Sequence, residues 1–176
     1  NGYKPEIVNH LDPKFIQPLE VHTYKSGDQV SKRKWVIEGT CIAGAVTLYV
    51  GPGGAGKTTI GSQLCYSVAT GTKFFDKIVF ETGNVLMIIQ EETRNEANLK
   101  LRALEEQFGS LEHCKNKIDL ITIEKNIKLT HFKPDGTVTV LNDYHGLKKL
   151  IQKNKYKLIY LDPLISLKTG AFDEND

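Results

Sequence analysis

One run of eight residues, Gly51-Pro52-Gly53-Gly54-Ala55-Gly56-Lys57-Thr58, constrains this chain more than any other. Its four glycines suit a backbone that must turn through conformations closed to other residues. The run before it, Ala45-Val46-Thr47-Leu48-Tyr49-Val50, is rich in β-formers and predicts a strand. The run after it carries Ile60, Leu64 and Val68 at spacings of four, which predicts a helix starting near Lys57 and stopping at Gly71. A tight glycine loop between a strand and a helix turns its amides towards one point at the helix N-terminus. That geometry is an anion cradle. The run also fits the phosphate-loop pattern G-x-x-x-x-G-K-[ST] without a mismatch. The expected cradle is Gly51, Gly53, Gly54, Ala55, Gly56, Lys57, Thr58 and Thr59. Lys57 is expected to reach the β- and γ-phosphates of a nucleotide, Thr58 to bind Mg²⁺, and Thr59 to touch the α-phosphate.

A phosphate loop of this kind needs a second group to hold the metal. Leu158-Ile159-Tyr160-Leu161-Asp162 is an apolar strand ending in a carboxylate, the Walker B form, and Asp162 is the expected second Mg²⁺ residue. An aspartate in that place can also be a simple strand terminator. Tyr160, inside the strand, reads as core. Hydrolysis further needs a base for the attacking water, and Pro163 occupies the position directly after Asp162. The strand Val85–Gln90 delivers Glu91-Glu92 instead, at the strand end where ligands bind in open α/β sheets. Glu91, directly off the strand, is the first candidate for the catalytic carboxylate. The bland alternative is a pair of solvated acids favoured by the N-terminus of the next helix.

That helix is announced by Thr93 and Glu96, a capping box, with Ala97, Leu101, Leu104 and Phe108 on its buried face and Gly109 at its end. Further strands are expected at Ile118–Ile123 and Lys157–Leu161. A hairpin is expected around Pro134-Asp135-Gly136, and a helix carrying Tyr144, Leu147, Leu150 and Ile151 should follow it. Strands alternating with helices argue for an α/β fold with a mainly parallel sheet flanked by helices and a β-hairpin insert. Residues 1–44 lack periodicity and read as an irregular N-terminal arm, with residues 45–176 forming the core.

Composition excludes several classes. A net charge of +2 does not advertise a nucleic-acid or membrane surface. Lysines 148, 149, 153, 155 and 157 read as a solvated face. No apolar run approaches the ~20 residues of a membrane span. Three scattered cysteines, Cys41, Cys65 and Cys114, give no disulfide framework and suit a reducing, cytoplasmic compartment. The five histidines show no ligand spacing. Starting at Asn1 and stopping in Asp173-Glu174-Asn175-Asp176, the chain reads as a piece of a longer polypeptide.

Three elements in fixed order carry a family resemblance: the Walker A loop, Gln90-Glu91-Glu92 leading to Leu101-Arg102-Ala103-Leu104, and Leu161-Asp162-Pro163-Leu164. Over residues 33–176 the chain resembles RepA-like ATPases, the plasmid replicative helicase type of the RecA/DnaB/KaiC group. Trp35-Val36-Ile37-Glu38-Gly39 is similar to that family's lead-in, and the acidic tail to its loop after Walker B. The resemblance implies a RecA-like core continuing past Asp176 into DNA-facing loops. It further implies DNA-stimulated ATP hydrolysis, a hexameric ring, single-stranded DNA as partner, and a cation from a neighbouring subunit to complete the site. Two other readings compete: a phosphate-loop kinase of a small metabolite, which would need a lid richer in arginine, and a non-hydrolysing ATP-binding regulator.

Overall fold

The computed structural model describes residues 20–170. The chain divides into two units between Arg33 and Lys34. The described part of the first is an exposed extended segment with one turn, in which Lys25 N donates to Asp28 Oδ2 at 3.0 Å.

The second unit is built on β3 (Val85–Ile89), in which all five residues are buried. A strand covered on both faces has no need of alternating polarity, which is why this run is continuously apolar. Burial of each such side chain stabilises the fold by roughly 1.5–3 kcal/mol. β3 pairs in parallel with β4 (Ile118–Ile121) on one side and β7 (Leu158–Asp162) on the other. The strand order is therefore β4-β3-β7. Val85, Met87 and Ile89 point into one apolar cluster with Leu64 and Val68 of α1 (Lys57–Thr70) and Ala97 and Leu101 of α2 (Arg94–Phe108). Leu86 and Ile88 point into a second cluster, against which Leu147, Leu150 and Ile151 of α3 (Asn142–Asn154) pack. Helices thus lie on both faces of the parallel sheet, as the alternation of elements predicts. Lysines 148, 149, 153, 155 and 157 are exposed.

Pro134-Asp135-Gly136 makes the expected turn. Asp135 Oδ1 accepts from Thr137 N at 2.9 Å, and Gly136 adopts φ +80°. The turn joins β5 (Thr130–Phe132) to β6 (Val138–Val140) as an antiparallel hairpin. A short strand not foreseen from sequence, β8 (Lys168–Gly170), adds to β5 in parallel and completes a second, three-stranded sheet.

Two segments differ from expectation. Trp35-Val36-Ile37, read as irregular lead-in, forms β1 (Trp35–Ile37) and pairs with β2 (Cys41–Ile42). Val36 and Ile37 are buried in the first cluster, so apolar contact with α1 and β3 orders a run with no sequence periodicity. The strand expected at Ala45–Val50 is absent. Those residues are exposed, with Val46 at 96% and Val50 at 83%, and no strand pairs with them among the described residues. β-propensity expresses fit to a paired, half-covered surface, and here there is no partner strand to supply one.

Candidate functional site

The phosphate loop joins Ala45–Val50 to α1. Gly54 and Gly56 hold φ +73° and +79°, the left-handed region, so the glycines there answer a backbone demand. Gly56 is also the N-cap of α1. It has no side chain to cap with, and the first turn contains no acid. The α1 N-terminus therefore keeps orphan amides and a positive dipole end with no capping side chain and no acid of its own first turn. Pro52–Ala55 and Thr59 are exposed, while Gly51, Gly56, Lys57 and Thr58 are half-buried. Lys57 Nζ donates to the carbonyls of Gly51 and Pro52, at 2.8 Å each. Its ammonium thus sits across the loop that the motif predicts it to serve.

The second strand end meets this loop directly. Thr58 Oγ1 donates to Asp162 Oδ2 at 2.6 Å, joining residues 104 apart in sequence. A hydroxyl that donates its proton in this way keeps its lone pairs for a cation. Asp162 is only 8% exposed, and Tyr160 OH donates to the same Oδ2 at 3.0 Å. Burial, then the charge of Asp162, pushes the Tyr160 phenol well above its ordinary value, so it remains a proton donor at any ordinary pH.

The two acids after β3 have different surroundings. Glu91 is exposed and makes no hydrogen bond or ion pair among the described residues. Glu92 is half-buried, pairs through Oε1 with Lys100 of α2, and faces Tyr160 closely enough to act on it electrostatically. Its Oε2 and Gln90 Oε1 are the two side-chain atoms buried without a hydrogen-bond partner among the described residues. Gln90 is 5% exposed, and its Nε2 donates to Thr122 O at 3.3 Å. Lys57, Thr58 and Asp162 are therefore brought together, with Glu92 nearby. Glu91 and Thr59 lie at the surface beside them. Sequence reading passed over two participants. Glu92–Lys100 spans eight residues of separation, beyond the usual helical pairs. Tyr160 had a signal: at position i−2 from Asp162 it shares that residue's face of β7.

Two cavities lie elsewhere. They follow the outer side of β4 beneath α3, have volumes of about 840 and 700 Å³, and share Arg94, Leu120, Ile121 and Leu150. None of their lining residues belongs to the phosphate loop, whose residues Pro52–Ala55 are exposed. A triphosphate recognised by backbone amides lies along a loop and does not need a deep cavity.

The residues present fit a nucleotide and a divalent cation: an uncapped helix start, left-handed glycines, a lysine bonded only to loop carbonyls, and a hydroxyl and carboxylate in contact. Residues 12–176 match the family described as AAA domain, AAA_25. The chain belongs to this AAA domain family of P-loop ATPases. Neither a curated protein nor a solved structure matches the chain. Membership of the AAA domain family carries the P-loop α/β fold, which the parallel sheet between helices displays. It also carries ATP binding as the family's ordinary activity. No helix among the described residues is long and apolar enough to cross a membrane.

Proposed function

We propose that this chain is the ATP-hydrolysing motor domain of a DNA-dependent ATPase, a helicase of the RepA-like type within the RecA/DnaB/KaiC group. One observation carries its ATPase part: the 2.6 Å contact between Thr58 and Asp162 at the open N-terminus of α1. The Gln90-Glu91-Glu92 and Asp162-Pro163-Leu164 elements support the helicase part, because they occur in the order of that group.

In this reading the amides of residues 51–58 receive the phosphates, and Lys57 exchanges its two loop carbonyls for phosphate oxygens. Thr58 and Asp162 would hold Mg²⁺, which would supply positive charge against the phosphates when bound. Glu91 accepts the proton of the attacking water. It is the acid of the pair left uncommitted, since Lys100 already holds Glu92. The site faces solvent, so a cation from a neighbouring subunit in a hexameric ring completes it. Arg94 of the same chain lines the cavities on the β4 side instead.

The test is ATP turnover by the full chain with and without single-stranded DNA. Stimulation by DNA supports the motor; stimulation only by a small acceptor would make the protein a kinase, and binding without turnover a regulator. Glu91→Gln should lower turnover by ~10²–10⁴-fold and leave ATP affinity near its original value. Should Glu92→Gln show that signature and Glu91→Gln not, the base has been assigned to the wrong acid.

A further inference from the structure

Asp162 and the start of α1 are joined by a third side chain, Tyr160. The two-residue period of β7 places Leu158, Tyr160 and Asp162 on the face turned towards α1. Leu158 and the Tyr160 ring pack against the first apolar cluster. Gly61 lies in the second turn of α1, and a Cβ there would collide with the Tyr160 ring. The missing side chain thus lets the phenol lie against the helix backbone. From that position its hydroxyl lies 3.3 Å from the Lys57 carbonyl and donates at 3.0 Å to Asp162 Oδ2. The bond to the carboxylate is shorter and charge-assisted, so it dominates.

Two hydroxyls, those of Thr58 and Tyr160, therefore converge on one oxygen of Asp162. The Thr58 hydroxyl belongs to a residue assigned to the metal. The Tyr160 hydroxyl comes from a ring fixed by packing and by the Gly61 notch. Only the second is independent of ligand. We propose that Tyr160 is a positioning residue for the metal site: its hydroxyl fixes the rotamer of Asp162 relative to the first turn of α1, so that the carboxylate is already aimed when Mg²⁺ and nucleotide arrive.

The proposal rests on the reading of Asp162 as the metal acid. It differs from a purely structural role, in which the hydroxyl merely finds a partner for a phenol in the core. A structural hydroxyl affects stability with and without metal alike; a positioning one affects the metal alone.

The experiment titrates Mg²⁺ into the full chain with a fluorescent ATP analogue, with a parallel series in EDTA and a melting curve without nucleotide. Tyr160→Phe keeps the ring and removes the bond. It should raise the Mg²⁺ concentration for half-maximal binding about 10-fold, the usual scale for a group supporting a metal ligand. Binding in EDTA should stay within about twofold, the scale of a few tenths of a kcal/mol by which independent changes normally depart from additivity. In an Asp162→Asn background the same substitution should add no further shift. An unchanged Mg²⁺ requirement in Tyr160→Phe, or an equal shift in the Asp162→Asn background, overturns the proposal and leaves the nucleotide reading intact. A chain whose own nucleotide binding ignores Mg²⁺ overturns both this proposal and the reading of Asp162 as the metal acid.

Discussion

The two helices that begin on the α1 side of the sheet start in opposite ways. α2 is sealed: Thr93 Oγ1 accepts from Glu96 N at 3.3 Å, and Glu96 Oε2 accepts from Thr93 N at 2.7 Å and from its hydroxyl at 2.8 Å. α1 is open, with a left-handed glycine at its N-cap, no side-chain acceptor and a lysine as its first residue. Every helix start carries orphan amides and a partial positive charge. A protein satisfies them permanently with its own oxygens or leaves them for an anion from outside. The same chain does both, a few residues beyond adjacent loops, and the difference separates a helix start that stabilises from one that binds.

Predictions follow from attempts to erase this contrast. The largest effect should come from Lys57→Ala, which removes the cation from the open end. ATP affinity should fall about 10- to 100-fold, the value of a charged hydrogen bond, as read by fluorescence titration. The melting temperature without nucleotide should barely move, because the lysine bonds only loop carbonyls. Retained affinity would remove the phosphate-loop assignment.

Closing α1 in the manner of α2 is the next test. Thr59 occupies in α1 the third helical position that Glu96 occupies in α2, and it is exposed. Thr59→Glu should stabilise the nucleotide-free protein by about 0.3–1 kcal/mol through the helix dipole. It should also weaken ATP binding about 10-fold by repelling the phosphates. Stability and affinity moving in the same direction would show that the open end is not reserved for an anion.

Opening α2 should have the converse result. Thr93→Ala should cost ~1 kcal/mol, a fall of about 2–4 °C in melting temperature for a chain of this size, with ATP affinity unchanged. The smallest effect concerns pH. The Thr93 backbone amide, then its hydroxyl, hold the Glu96 carboxyl below the ordinary glutamate value of 4.5. A depressed carboxyl contributes stability that is present above its unfolded value and is lost as pH falls through its folded one. The stability gap between the unaltered chain and Glu96→Gln should therefore be present at pH 7 and close as pH drops below 4.5. A gap that persists in acid would mean that Glu96 acts through packing rather than charge.

Local patterns in the sequence carried much of this. The glycine spacing around Lys57, the Thr93–Glu96 box, Gly71 at the end of α1 and the Pro134-Asp135-Gly136 turn all concern groups within a few residues of each other. Neighbouring residues fix such geometry whatever lies around them. The five-residue apolar run of β3 was equally legible, because only a strand covered on both faces tolerates it.

What tertiary structure alone decided depends on partners distant in the chain. Ala45–Val50 has a strand's composition but is exposed and unpaired, since hydrogen bonds to a neighbouring strand, not propensity, make a strand. Trp35–Ile37 has no periodicity yet is ordered by burial against α1 and β3. Glu91 and Glu92 are identical in sequence terms. The reach of Lys100 from α2 commits one and leaves the other in solvent. Tyr160 reads as one more apolar-strand residue until Gly61 of α1 lies beneath its ring and Asp162 stands two residues on. The sequence by itself determined which residues form the loop and the strand ends. How those ends meet, and which side chain holds which oxygen, was set by packing across more than a hundred residues, where no local pattern reaches.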